Sequence, residues 1–249
     1  MRIGAARAFE TDGFLRLPFD PRVAVWAEAA HRVAMGLEAE ALRHGGTWQV
    51  GVDALPNAED GSIDGVALQG AWEGLVTPPK TWHRAQVSVV HPGYPRQDPD
   101  ESDAAHRYRL NRDAAHVDGL LPEGPDRRRH LREPHAFVLG VPLNDATGSP
   151  LVVWRGSHRI VQKAFAAAFA GVPAETWGDV DVTDIYQAAR REAFETCERI
   201  ELPAKPGEAT LLNRHIVHGV APWRAEVAPP EGRMIAYFRP QLQDVRGWI

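Results

Sequence analysis

The sequence predicts an α+β domain, mainly β, built around a β-sandwich or barrel. Three observations carry that expectation. An Ala-rich segment with apolar residues at helical spacing runs from Pro21 to about His44. Many short apolar runs separated by turn residues follow it. A helical interruption near residues 160–197 then gives way to strands again. No internal repeat, low-complexity tract or linker breaks the 249 residues, so residues 1–249 are expected to form a single domain.

Residues Phe9-Glu-Thr-Asp-Gly-Phe-Leu-Arg-Leu17 form an opening segment that ends in a short apolar–polar alternation. The helix expected from Pro21 is closed by Gly45-Gly46, as a helix stop should be. Candidate strands are Thr47–Val52, Val66–Trp72, Trp82–His91 and Ala136–Leu143. Two stretches read as long loops: Pro92–Asp113, and Leu121–Pro134 with its Arg127-Arg128-Arg129 run. A strand at Leu151–Trp154 leads to Arg155-Gly-Ser-His158 and to helices near Ile160–Ala170 and Thr183–Cys197. The chain ends in strands at Arg199–Leu202, Ala209–Asn213, His215–Val220 and Arg233–Phe238.

Composition narrows the function classes. With 44% hydrophobic and 24% charged residues the chain has the make-up of a soluble globular protein. A net charge of −5 without long runs of one sign speaks against nucleic acid or an anionic membrane as partner. No apolar stretch approaches the roughly 20 residues that span a bilayer. The amino terminus lacks the apolar core of a secretory signal, so a cytoplasmic address is expected. The lone Cys197 excludes an internal disulfide and any multi-cysteine metal site, so a metal here must be held by His and carboxylate.

His116-Val117-Asp118, answered by His218, offers such a donor set. Two imidazoles and one carboxylate hold one face of a metal in non-haem Fe(II) oxygenases and leave the other positions open. In a strand, alternate residues share a face, so His116 and Asp118 can grip one ion while Val117 turns away. The tripeptide alone decides little, because 11 His and 16 Asp yield about 0.7 such matches by chance. The second half adds context: a turn at Lys205-Pro-Gly, a strand, a second turn, then His218-Gly219. His215 and His218 lie three apart and face opposite ways in a regular strand, so only one can be the ligand. Gly219 lets backbone approach a site closely, which favours His218, with His215 as the alternative. Arg233 opens the next strand and could clamp a dicarboxylate bidentately, with Arg224 and Arg239 as competitors.

Four stretches, in order, resemble the phytanoyl-CoA dioxygenase family of Fe(II)/2-oxoglutarate-dependent oxygenases. Phe9–Leu17 is similar to its "F-x-x-D-G-F-hydrophobic" opening, and His116-Val117-Asp118 to its first metal pair. Val141 to Arg159, which includes Gly-Ser-His158, resembles its "L-x-D-x-T…G-x-L…P-G-S-H-[RK]" stretch. Gly207-Glu208 through His218-Gly219 and Arg233 resembles its "G-D…H-G…R" ending. The resemblance implies a double-stranded β-helix (jelly-roll, cupin-like) core with flanking helices. It also implies Fe(II) held by His116, Asp118 and His218, with 2-oxoglutarate as co-substrate and Arg233 on its far carboxylate. Gln86, on the strand before the metal pair, is the further candidate contact to 2-oxoglutarate. Two departures stand out. Gly219-Val-Ala-Pro-Trp-Arg224 lacks the family's usual hydroxyl after the distal histidine, and Trp154-Arg155 replaces the usual proline before Gly-Ser-His158.

The reaction so implied uses O₂ to hydroxylate an aliphatic C–H of a small molecule, releasing succinate and CO₂. Asp118 favours this over halogenation, for which related enzymes lack the carboxylate. A jelly-roll metalloenzyme that does not use 2-oxoglutarate would keep the triad without needing Arg233, and a non-catalytic binding domain would need neither. Arg127, Arg128, Arg129, Arg132, His130 and His135 form a basic cluster. It either attracts an anionic substrate or is a solvated loop balanced by Glu123, Asp126 and Glu133. Trp72, Trp82, Trp154 and Trp223 are read first as core, and Ser157 and His158 as shaping a turn beside the site, with His158 a remote alternative ligand. The substrate and the oligomeric state are not legible.

Overall fold

The computed structural model describes residues 2–38 and 41–249. Two antiparallel sheets face each other, with helices on both outer sides. α1 (Arg2–Asp12) ends at Gly13, whose φ of 81° turns the chain into β1 (Phe14–Leu17). α2 (Pro21–Met35) is started by its residue types: Asp20 accepts a hydrogen bond from the Arg22 amide, and Pro21 has the φ a first turn needs. Its buried stripe is Val23, Trp26, Ala27, Ala30 and Ala34. The helix stops at Gly36, short of the His44 expected from sequence; residues 39 and 40 lie outside the described residues. Gly45 and Gly46, both at positive φ, make the turn into β2 (Trp48–Gln49) instead.

The larger sheet runs in the order β1, β9 (Ala209–Asn213), β6 (Phe137–Pro142), β11 (Arg233–Phe238), β3 (Gln86–Val90), β2. The smaller has β7 (Leu151–Trp154) between β10 (His218–Val220) and β8 (Arg199–Leu202). Residue parity shows which faces meet. Leu151 and Val153 of β7 pack with Val138, Leu212, Ile235 and Tyr237 of the larger sheet. Their neighbours Val152 and Trp154 turn outward onto α4 (Ser157–Ala168) and α5 (Thr183–Thr196), through Val161, Phe165 and Tyr186. On the other side Met234, Ala236 and Phe238 turn outward against Trp26 of α2. Burial of large apolar side chains in three layers of this kind is the main stabilising term.

Three further sequence expectations about the elements need correction. Val66–Trp72 is not a strand: Val66 makes a single bridge to Ile63 and the segment ends in a 3₁₀ turn, Ala71–Gly74. Its apolar residues are there to seat Leu68 and Trp72 in the core. The stretch Pro92–Asp113 contains α3 (Asp103–Arg112), capped by the Ser102 side chain on the Ala105 amide. No residue of α3 is buried, so it carries no apolar period to read. The stretch Leu121–Pro134 is mostly a hairpin, β4 (Leu120–Glu123) with β5 (Arg128–Leu131). Its charged strands conceal the alternation. No helix among the described residues is long and apolar enough to cross a membrane.

Candidate metal centre

His116, Asp118 and His218 come together, each presenting a ligand atom within 4.8 Å of the others. Backbone, not side chains, sets the spacing. His116 and His218 exchange both main-chain hydrogen bonds, at 2.8 and 3.0 Å, and so extend the smaller sheet by one rung. Asp118 is not in a strand, as the sequence reading had it. It sits in the turn that Gly119, at φ 83°, makes into β4. The turn before His116 is pinned as well. Asp113 accepts two bonds from the Arg199 guanidinium, at 2.7 and 2.8 Å, and its carbonyl accepts from the Val220 amide. Gly219 passes so close that a Cβ there would lie 2.1 Å from the Asp113 carbonyl oxygen.

The two imidazoles are oriented alike. Nδ1 of His116 lies 3.0 Å from the carbonyl of Ala114, and Nδ1 of His218 lies 3.0 Å from that of Ile216. A proton on each Nδ1 satisfies those carbonyls and leaves each Nε2 lone pair for an ion, the arrangement metal-binding histidines adopt. The Nε2 atoms lie 3.0 and 3.6 Å from the Asp118 carboxylate. Arg239 donates from Nε to the same carboxylate at 2.6 Å. Burial pushes the Asp118 carboxyl up, but Arg239 and then His218 outweigh it, and the group lies well below the usual carboxylate range. Asp118 is therefore an anion ready to bind a cation.

The other candidates from the sequence separate clearly. Gln86 faces the same cleft from β3, donating to the Val50 carbonyl at 2.7 Å and accepting from Arg239. Arg233 starts β11 on the inward-facing parity of Ile235 and Tyr237; it is 5% exposed and its Nη1 has no partner. Arg224 is turned to solvent on Glu201 and leaves the contest. His215 is buried against Trp248, and His158 bonds the Glu10 carbonyl through Nε2, so neither joins the triad. Trp72 and Trp154 are core, Trp82 is core that also borders the cleft, and Trp223 bonds the Ala225 carbonyl. A second grouping, His44 with Asp98 and Glu101, has its carboxylates taken by the His44 and Gly45 amides and by Arg109.

Sequence reasoning offers Arg239 only as a competitor for the co-substrate. The signal for its contact with Asp118 was parity, since residues 233, 235, 237 and 239 alternate to one face and Arg239 lies just beyond the strand's end. The triad opens onto a cleft of about 1600 Å³ bordered by Trp48, Tyr94, Tyr108, His135 and the β4–β5 hairpin.

No family model matches the chain, and no curated protein matches it. Solved structures do. SnoK, the non-heme alpha ketoglutarate dependent carbocyclase from nogalamycin biosynthesis, superposes with a TM-score of 0.51 at 13% identity, over 96% of this chain and 87% of SnoK. The likeness is one of fold. Two further structures resemble it less in shape. EctD from S. alaskensis, with 2-oxoglutarate and 5-hydroxyectoine, has a TM-score of 0.47 at 19% identity, over 94% of this chain and 74% of EctD. SnoN, a non-heme alpha ketoglutarate dependent epimerase, has a TM-score of 0.47 at 14% identity, over 96% and 82%.

Proposed function

We propose that the chain is an Fe(II)- and 2-oxoglutarate-dependent dioxygenase of the phytanoyl-CoA dioxygenase type. It would act as one domain with a double-stranded β-helix core and hydroxylate an aliphatic C–H of a small molecule. The observation that carries the proposal is the converging set of His116 Nε2, His218 Nε2 and the Asp118 carboxylate, of which His116 and Asp118 line the cleft. Likeness of fold to SnoK supports it.

The residues present fit the groups this reading needs. Two neutral imidazoles and one carboxylate suit Fe(II) and leave coordination positions free. Arg233, buried with an unpartnered Nη1, is the proposed counter-ion for the far carboxylate of 2-oxoglutarate; it lies behind the cleft lining, to which Gln86 and Arg239 belong. Fe(II) with 2-oxoglutarate and O₂ would supply an oxidant strong enough to take hydrogen from an unactivated carbon, with succinate and CO₂ released. The protein's own part is positional. Ala114 and Ile216 fix the imidazole tautomers, and Arg239 keeps Asp118 ionised and aimed. Gln86 anchors Arg239 in turn.

Anaerobic addition of Fe(II) and 2-oxoglutarate is expected to give a weak visible charge-transfer band. His116→Ala and Asp118→Ala should lose it. Arg233→Gln should keep iron binding and weaken 2-oxoglutarate by about tenfold or more, the worth of a charge-assisted pair. Absence of the band in the unaltered protein, together with a melting temperature indifferent to 2-oxoglutarate, would overturn the proposal. An Arg233→Gln protein with normal 2-oxoglutarate affinity would shift the counter-ion role to Arg239.

A further inference from the structure

The basic run of the β4–β5 hairpin divides into two sets. Arg128 pairs with Asp181 and Asp184, and Arg132 with Glu123. Arg127 and Arg129 line the cleft instead, and Arg190 joins them from α5. Among the described residues none of these three has a carboxylate within 4.0 Å. Their partners are neutral: Arg129 donates to the Leu120 carbonyl at 2.8 Å and Arg190 to the Ala115 carbonyl at 3.5 Å. Arg190 also lies over the rings of Tyr108 and Tyr186, at 4.9 and 5.1 Å. Of the carboxylates that line the cleft, Asp113 and Asp118 are taken by Arg199 and Arg239. Glu133 and Asp53 lie beside His135 and His83, and Glu59 makes no ion pair with any of the three arginines. Burial, reinforced by Arg127 and Arg190, holds Arg129 below the usual guanidinium range.

We propose that Arg127, Arg129 and Arg190 form the seat for an oxyanion, a carboxylate or phosphate, carried by the substrate. Clustered guanidiniums without counter-charges repel one another, and an oxyanion bridging them would replace repulsion with bidentate pairing. The seat is tied to the metal-binding segment. Tyr108 donates to the Ala115 carbonyl at 2.6 Å and the Tyr186 hydroxyl accepts from the Val117 amide at 3.1 Å, so both residues flanking His116 are fixed by rings that cradle Arg190. An anionic substrate held there would be in register with the triad. That it is a substrate rests on the oxygenase reading; the anion seat itself does not.

Calorimetric titration of the protein without iron or 2-oxoglutarate separates the two ideas. One arm uses inorganic pyrophosphate and the other benzoate, and the arm that binds identifies phosphate or carboxylate as the preferred group. Saturable binding of at least one is expected. Combined Arg127→Gln and Arg129→Gln should weaken it by about tenfold or more, while Arg128→Gln leaves it unchanged. Arg127→Gln alone, at an exposed position, should weaken binding even if the double variant folds poorly. Absence of saturable binding in both arms would overturn the proposal. So would a loss that follows Arg233→Gln but not the hairpin variants, which would place the anion at the co-substrate's counter-ion. Anion binding that persists where the charge-transfer band is missing would sink the oxygenase reading alone.

Discussion

Arg239 sets the electrostatics of the candidate metal centre. Its Nε lies 2.6 Å from a carboxylate that is 11% exposed and flanked by two imidazoles. Removing one partner of a buried pair leaves the other charge uncompensated, at a cost of about 3–5 kcal/mol. Arg239→Leu is therefore expected to lower the stability of the metal-free protein by about that much. A divalent cation should restore part of the loss, because it supplies the missing positive charge to Asp118. Urea unfolding with and without Mn(II) measures both effects. An unchanged midpoint without metal would show that solvent already compensates Asp118. At this scale the three residues that converge were legible because His-x-Asp and His-Gly are local patterns. Arg239 was only half legible, since its contact with Asp118 joins residues 121 apart.

At the scale of elements, the metal centre depends on how closely β10 passes the turn after α3. Gly219 is confined there by the Asp113 carbonyl, which a Cβ would approach to 2.1 Å. Gly219→Ala should cost about 1–3 kcal/mol through overpacking, and shift His218 enough to weaken metal binding. Thermal unfolding and iron titration would read the two losses together; a variant with normal stability would mean the turn yields freely. The strands that sequence reasoning placed best, such as Leu151–Trp154 and Arg233–Phe238, are short, apolar and bounded by turn residues. The elements it missed lack that signature. α3 buries nothing, and β4 and β5 are charged strands tied through Arg128 to Asp181, just before α5, and to Asp184 within it. Burial writes itself into sequence as a period, whereas contacts between polar elements do not.

For the whole molecule, His215 sets a pH dependence. Burial, then the nearby Arg214 and His158, pull its pKa from 6.5 down to about 3. Its folded pKa is below its unfolded one, so between those values the unfolded chain takes up a proton that the folded protein refuses. The contribution is complete above about pH 6.5 and is lost as pH falls towards 3, at no more than about 1.4 kcal/mol per pH unit from this group. His215→Leu should flatten stability against pH in that window, as urea midpoints between about pH 7 and pH 4 would record. An unaltered slope would assign the acid sensitivity elsewhere. The architecture allows such changes to be made singly. His116 and His218 are joined by two main-chain hydrogen bonds, so the frame of the candidate centre does not rest on the imidazoles alone. The donor set is thus an exchangeable fitting on a fixed mount, and a change of chemistry at either position need not be a change of fold.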